Sequence, residues 1–372
     1  MHRPTESGRC IFYMKNVGVK SIGIKCPIIR QGDNLVDIVY DSIKKSGVTL
    51  QNGDVIGITE SVVARAYGDY ITVDMIASEV KKLFGVSEDQ RVDRVLLMTP
   101  IFSRNRFAII LKGIARACKT ITIWTDGTVD EVGNVLRNHP FTGLNYDEYY
   151  IQICKEEGCL CDVIVKYPNN AQALTDAIQS KVINCTLHLT EAQKNGRLHS
   201  KYFFLTDLFK DKCEYGLLGS NKSSEEKIKL FPSKDQCMEV VCGIQTLVWL
   251  RHNVHVEAMI YGDGCFKSPI GGIWEFADPV VSPGYTSGLE GCPREIKIKA
   301  FADDKYKDLS GKELEQAIRG EIVREHEHDS MSAQGTTPRR YVDLLGSLMD
   351  LTSGSGDKGT PVVIVQNYFK KY

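Results

Sequence analysis

The strongest constraint on the fold of this chain is a punctuated stretch near its start, where Gly32-Asp33 and Gly53-Asp54 each precede a run of regular apolar spacing. Asp33 and Asn34 are helix-capping types, and Leu35, Ile38, Val39 and Ile43 after them make one apolar helix face that Gly47 stops. Asn52-Gly53 is a turn signal, and Val55, Ile56 and Ile58 form a short apolar run of strand type. Glu60 and Ser61 then open a second helical stretch that ends at Gly68. The segment reads helix, turn, strand, helix, a unit that any α/β protein can contain.

With 372 residues, 42% hydrophobic and 25% charged, the chain has room for two or three domains and can bury a sizeable core. A net charge of -1 with interspersed signs argues against a nucleic-acid partner. No apolar run approaches the length of a membrane span, and Met1 to Gly8 lack the apolar centre of an export signal. The expected location is cytoplasmic, with no membrane partner and with the 12 cysteines as reduced thiols, most of them small core residues. Cys154, Cys159 and Cys161 cluster, but a metal site would need a fourth ligand and usually a Cys-x-x-Cys pair, so packing is the preferred reading. Cys237 and Cys242, flanking an apolar run, read the same way.

Further along, Thr72 to Phe84 has helix ends and Val92 to Met98 is strand-like. From Arg104 to about Arg197 helix and strand patterns alternate, which favours a small parallel-sheet α/β unit. Met238 to Leu250 is a helical run closed by Asn253, and Val254 to Tyr261 alternates as a half-buried strand. Thr337-Pro338 starts a helix with a wide apolar face through Val342, Leu345 and Met349 with Leu344, Leu348 and Leu351, and Val362 to Gln366 is a buried-strand run.

Pro27 to Val39 and Leu50 to Asp69 together resemble the opening of the coenzyme F420-0:gamma-glutamyl ligases, in the order Pro and Gly-Asp before a helix, then Gly-Asp opening a strand that runs into a helix ending at Gly. Gly216-Leu-Leu-Gly-Ser-Asn221 with Leu230-Phe-Pro232 is similar to a later loop of that family, although Leu218 stands where the family has a metal-holding Asp. The Gly262-Asp263-Gly264 turn after its strand, and the final helix, acidic Gly-rich loop and Pro361 before a strand, are further points of resemblance. The resemblance implies an α+β fold with mixed and antiparallel sheets, here with a small α/β unit inserted, divided as 1–103, 104–197 and 198–372. It also implies a homodimer that uses GTP and Mg²⁺ or Mn²⁺ to join glutamate to a carboxylate acceptor, the phospholactyl group of the deazaflavin.

Making an amide from a carboxylate in water requires activation, usually as an acyl phosphate, so the site should hold carboxylates beside cationic side chains. Asp263, Lys267, Asp357 and Lys358 are the expected catalytic group, with Asp263 and Asp278 as metal ligands. Glu60, Ser61, Ser220, Asn221, Lys222 and Arg339 are expected around the nucleotide, Arg339 and Arg340 lying in the first turn of the last helix. The loop Gly354 to Gly359 is not a nucleotide P-loop, because it leaves a helix C-terminus, whose partial charge repels anions. His326-Glu-His-Asp329 reads as a charged linker. Neither a Gly-x-Ser-x-Gly elbow nor a Rossmann fingerprint occurs. Two alternatives stay open: an amide ligase for a different carboxylate, and a nucleotide-sensing binding protein without turnover.

Overall fold

The computed structural model describes residues 18–98, 105–125, 138, 143, 145–165, 181–184, 202–204, 208–214, 216–217, 220–263, 266–267, 273–274, 280–293, 298–323, 339–354 and 356–370. A five-stranded sheet runs in the order β1 (Lys20–Ile24), β15 (Val362–Gln366), β2 (Val55–Thr59), β11 (Glu257–Asp263), β14 (Val280–Val281). β2 and β11 are parallel and the other pairs antiparallel, so this sheet is mixed.

One face of the sheet is covered by α1 (Leu35–Ser46), α2 (Glu60–Tyr67) and α6 (Lys234–His252), which share a core with Ile56, Ile58, Ala258, Ile260 and Ile364. α1 forms as its sequence dictates: the Asn34 side chain accepts from the Asp37 amide, Gly47 closes the last turn in the left-handed region, and Leu35, Val39 and Ile43 are buried. The opposite face is covered by α8 (Tyr341–Ser353), whose Val342, Leu345 and Met349 pack on Val55, Met259, Tyr261, Val363 and Val365. Helices on both faces explain a departure from expectation. The 254–261 alternation predicts a half-buried strand, yet Ala258, Met259, Ile260 and Tyr261 are all fully buried.

A second sheet, antiparallel, has the order β3 (Tyr70–Thr72), β10 (Lys227–Lys229), β9 (Asn221–Ser224). The third is parallel throughout, in the order β6 (Leu160–Val165), β5 (Cys118–Thr125), β4 (Val92–Met98), β7 (Lys181–Asn184), β8 (Tyr202–Phe204). Its strands begin at Val92 and end at Phe204, and so extend beyond the 104–197 expected for this unit. α3 (Val73–Phe84), α4 (Asn105–Ala117) and α5 (Tyr146–Glu156) pack with it, and Ile71 and Ile228 of the second sheet join the same core. A short hairpin, β12 (Phe266–Lys267) with β13 (Ile273–Trp274), and α7 (Gly311–Val323) complete the described elements used below.

Three smaller expectations are corrected. α8 starts at Tyr341 with Arg340 as its N-cap, so Arg339 and Arg340 precede the first turn, while Thr337 and Pro338 lie outside the described residues. Only one face of α8 is buried, and Leu351 is 80% exposed. Cys237 is buried, but Cys242 is exposed. Cys154 and Cys159 are buried and Cys161 is half-buried. No described helix is long and apolar enough to cross a membrane.

The helix-covered sheet leaves little space at Gly57. A Cβ there would stand 2.1 Å from Met349 Sδ and 3.1 Å from the Tyr261 ring. Gly57→Ala is expected to cost about 1–3 kcal/mol by overpacking, measured as a lower urea midpoint at unchanged slope.

Candidate functional site

Strand directions gather several chain segments at one end of the first sheet. Because Tyr261 pairs with Thr59 in parallel register, β2 and β11 end together, and antiparallel pairing of Val362 with both Ile58 and Ile24 brings the start of β15 and the end of β1 to the same place. A cleft of about 560 Å³ opens there, where ligands settle outside the carboxyl ends of parallel strands. Its rim is fixed by backbone bonds from the Cys26 amide to the Gly359 carbonyl, 3.0 Å, and from the Thr59 amide to the Pro361 carbonyl, 2.9 Å.

Glu60 is the most tightly held group of the cleft wall. It is 3% exposed; its Oε2 accepts from Lys229 Nζ at 3.2 Å and its Oε1 from Asn221 Nδ2 at 3.0 Å. Lys229 is 3% exposed as well. Strand alternation places it there, since Ile228 goes into the core beneath the parallel sheet and its neighbour points to the other face. Gly262 completes the arrangement: at φ 154° its missing side chain leaves room for Glu60, whose Cγ would be 2.6 Å from a Cβ. Behind the pair, the Cys237 thiol is pushed up to about 12, by burial first and then by the carboxylates of Glu60 and Asp69.

The remaining wall is of mixed charge. Ser61, Val62 and Arg65 of α2 face the cleft, with the Arg65 Nε donating to the Ile29 carbonyl at 3.1 Å. Lys222, ion-paired with Glu225, comes from β9. Asp350 and Ser353 come from the end of α8, followed by Gly354, Gly356 and Gly359 of the acidic loop. The first turn of α2 thus opens into the cleft, and Thr59 makes no side-chain bond to cap it.

The residues singled out by sequence divide clearly. Glu60, Ser61, Asn221 and Lys222 line the cleft, and the backbone of Asp263 follows Gly262 at its edge. Asp357 and Lys358 are exposed on the loop whose glycines line it, and neither is itself part of the wall. Ser220 is fully buried and donates to the Leu217 carbonyl at 2.6 Å, so its hydroxyl serves the turn rather than the cleft. Arg339 is exposed ahead of α8, whereas the cleft takes Asp350 and Ser353 from the far end of that helix. Arg340 is taken by Asp343 in a two-pronged pair at 2.7 and 2.9 Å. Lys267 lies by its backbone in β12, while Asp278, Leu218 and His326 to Asp329 fall outside the described residues.

Sequence reasoning missed Lys229, Arg65 and Asp350. A signal existed for Lys229, a single lysine inside the run Ile228-Lys-Leu-Phe231. Arg65 and Asp350 sit on helices whose polar faces look like any solvated surface.

These features define an α+β protein whose carboxylate- and cation-lined cleft sits at the end of a buried parallel strand pair. The profile of the F420-0:gamma-glutamyl ligase family matches residues 23–367, and the chain belongs to that family. It is also 36% identical over 53 residues to an uncharacterized protein of Methanocaldococcus jannaschii, a stretch that makes up 14% of this chain and 18% of the relative.

Two measurements probe the Glu60 wall. Lys229→Met leaves a buried carboxylate without its cation and is expected to destabilise by about 3 kcal/mol, most of which Glu60→Gln in the same chain restores; chemical denaturation of both variants checks this. The Cys237 thiol keeps its proton in the fold up to about 12, against 9.0 for an ordinary thiol. Its contribution to stability is therefore complete below pH 9.0 and is lost as pH rises through 12. Melting curves over that range should fall less steeply for Cys237→Ala than for the native chain, and parallel curves would count against the assignment.

Proposed function

We propose that this chain is a nucleotide-dependent amide ligase that adds L-glutamate to the carboxylate of coenzyme F420-0, with GTP as the activating nucleotide and Mg²⁺ or Mn²⁺ as the ion. The observation that carries the reading is a cleft in which an open helix N-terminus, a glycine-rich loop, two cationic side chains and two carboxylates meet. Phosphoryl transfer to the acceptor carboxylate gives an acyl phosphate, the amine of glutamate attacks its carbonyl carbon, and phosphate leaves. Charge accumulates on phosphate oxygens throughout, so positioning and electrostatics supply most of the catalysis.

The amides of Glu60, Ser61 and Val62, with Lys222 and Arg65, would receive phosphate oxygens, and the glycines at 354, 356 and 359 allow the close backbone approach that phosphates need. Glu60, held by Lys229 and Asn221, would present fixed negative charge toward the amine of the incoming glutamate.

For the divalent ion, the test is the donor set. Among the described residues no group of three acidic or imidazole ligands is present, but Mg²⁺ ordinarily takes only one or two carboxylates and fills its shell with phosphate oxygens and water. Asp350 of the wall, and Asp263 by its place at the end of β11, would hold it. Bound there, the ion would neutralise charge developing on the nucleotide phosphates.

Leu218, standing where the family has an acid, favours a second reading in which the acceptor is a different carboxylate. Incubation with coenzyme F420-0, L-glutamate, GTP and manganese should yield a product heavier by one glutamyl unit, with GDP formed only when glutamate is present. Glutamate-dependent GDP without that product would favour the second reading, and GTP loss independent of glutamate would end the proposal. Lys222→Met and Arg65→Met should each raise the KM for GTP about tenfold or more, the value of a charge-assisted contact to phosphate.

A further inference from the structure

Two groups that line the cleft, Asn221 and Lys222 on β9, and the buried Lys229 on β10 that holds Glu60, are carried by one small hairpin. At the far end of that hairpin is the turn Glu225-Glu226, and there the chain meets α4 of the parallel-sheet unit. Lys112 Nζ pairs with Glu226 Oε1 and reaches the Glu225 carbonyl at 3.5 Å, and Arg116 Nη1 lies 3.3 Å from Glu226 Oε2. Arg116 is itself held on two other sides. Its Nε and Nη2 bond both oxygens of Glu157 after α5, at 2.8 and 3.0 Å, and its Nη1 bonds Asp74 in the first turn of α3 at 2.7 Å. A guanidinium fixed by a two-pronged carboxylate is a far stiffer anchor than a single exposed pair. The two cations, Lys112 foremost, hold the Glu226 carboxyl below its usual range.

We infer that Lys112 and Arg116 on Glu226 form a clamp that sets the position of β9 at the cleft, so that the parallel-sheet unit controls how Asn221 meets Glu60 and where Lys222 stands. The three are positioning residues, since they act through the hairpin and do not line the cleft. A hairpin of two strands of four and three residues is short and marginal by itself. The returning strand is fixed by burial of Ile228, by pairing with β3 along its length and by the Val73 amide on the Glu226 carbonyl at 3.0 Å, which leaves β9 as the outer strand whose place depends on the turn. Releasing the turn frees the strand that carries Lys222, while the core contact at Ile228 keeps the fold intact. The functional consequence rests on the cleft being the ligase site proposed above, but the mechanical claim does not.

Amide hydrogen exchange on the full chain tests it, with Glu226→Gln, Lys112→Met and the double variant compared with Lys119→Met. The last removes the surface pair Lys119–Asp93, 2.8 Å, in the same parallel-sheet unit but away from the hairpin. Glu226→Gln and Lys112→Met are each expected to speed exchange about three- to tenfold across Asn221–Lys229 and in the first turn of α2, as loss of a partly exposed ion pair allows. The double variant should be no faster than the faster single one, because one clamp is lost in either case. Lys119→Met should change neither segment. Glutamate-dependent turnover, where the native chain shows it, should lose affinity for GTP in the clamp variants with melting temperature nearly unchanged. Exchange in the first turn of α2 that is unaltered in the clamp variants, or altered equally by Lys119→Met, overturns the inference. A native chain without glutamate-dependent turnover ends the ligase reading instead and leaves the exchange comparison to decide the clamp.

Discussion

The parallel pairing of β2 with β11 is the constraint on which the rest of the structure depends. Parallel neighbours end at the same side of a sheet, and here the strand ends carry Thr59 with Glu60 and Tyr261 with Gly262. An antiparallel pairing of the same two strands would send Glu60 and Gly262 to opposite ends. The pairing is secured by burial on both faces, because apolar residues alternate into two separate cores with helices over each. A one-residue slip would exchange those faces and move Gly262 away from Glu60, so register and cleft are specified together.

Within the cleft, the Glu60–Lys229 pair is not explained by stability. Removing two charges from water costs several kcal/mol, and the attraction between them roughly cancels that cost, so an apolar pair of similar volume would serve the fold as well. The chain nevertheless surrounds this pair with accommodations: a glycine at φ 154° beside the carboxylate, an amide from Asn221, and a buried thiol at Cys237 that must remain neutral. Each has a local cost or restriction, and all serve to hold one carboxylate in one orientation on a cleft wall. Fixed charge held in one orientation is what stabilises charge that develops during amide formation, and this links the packing to the ligation the family name describes.

Much of the architecture is legible from residue type. Asn34 and Gly47, Thr72 and Gly85, and Asn253 mark helix ends that the structure reproduces, because capping is a local interaction between a side chain and the nearest amides, whereas α6 starts at Lys234 under a Ser233 cap, ahead of the run from Met238. The strand from Val362 to Gln366 is equally plain, since a continuous apolar run has no exposed alternative. What the sequence hides is pairing at a distance. The buried state of the 254–261 strand depends on α8, which lies far later in the sequence, and Lys229 meets Glu60 across 169 positions. The start of α8 differs for a related reason: the Thr-Pro step reads as a helix start, while the structure begins the helix at Tyr341 and pairs Arg340 with Asp343. Residues that follow a local rule are visible in one dimension, and those that answer to a partner elsewhere are not.

The same distinction bears on how the two larger sheets communicate. The parallel sheet reads from sequence as a separate α/β unit, yet its core is continuous with Ile71 and Ile228 of the small antiparallel sheet, whose other face supplies Lys229 to Glu60. A three-stranded sheet with one side in each region is a mechanical link, because its strands cannot rotate independently on their two faces. Arg116 adds a polar counterpart at the outer end, drawing α3, α5 and the hairpin turn onto α4. Apolar contact near the cleft and charged contact far from it thus act on the same strands, and a displacement in the parallel-sheet unit would reach Glu60 through Lys229 without any residue of that unit entering the cleft.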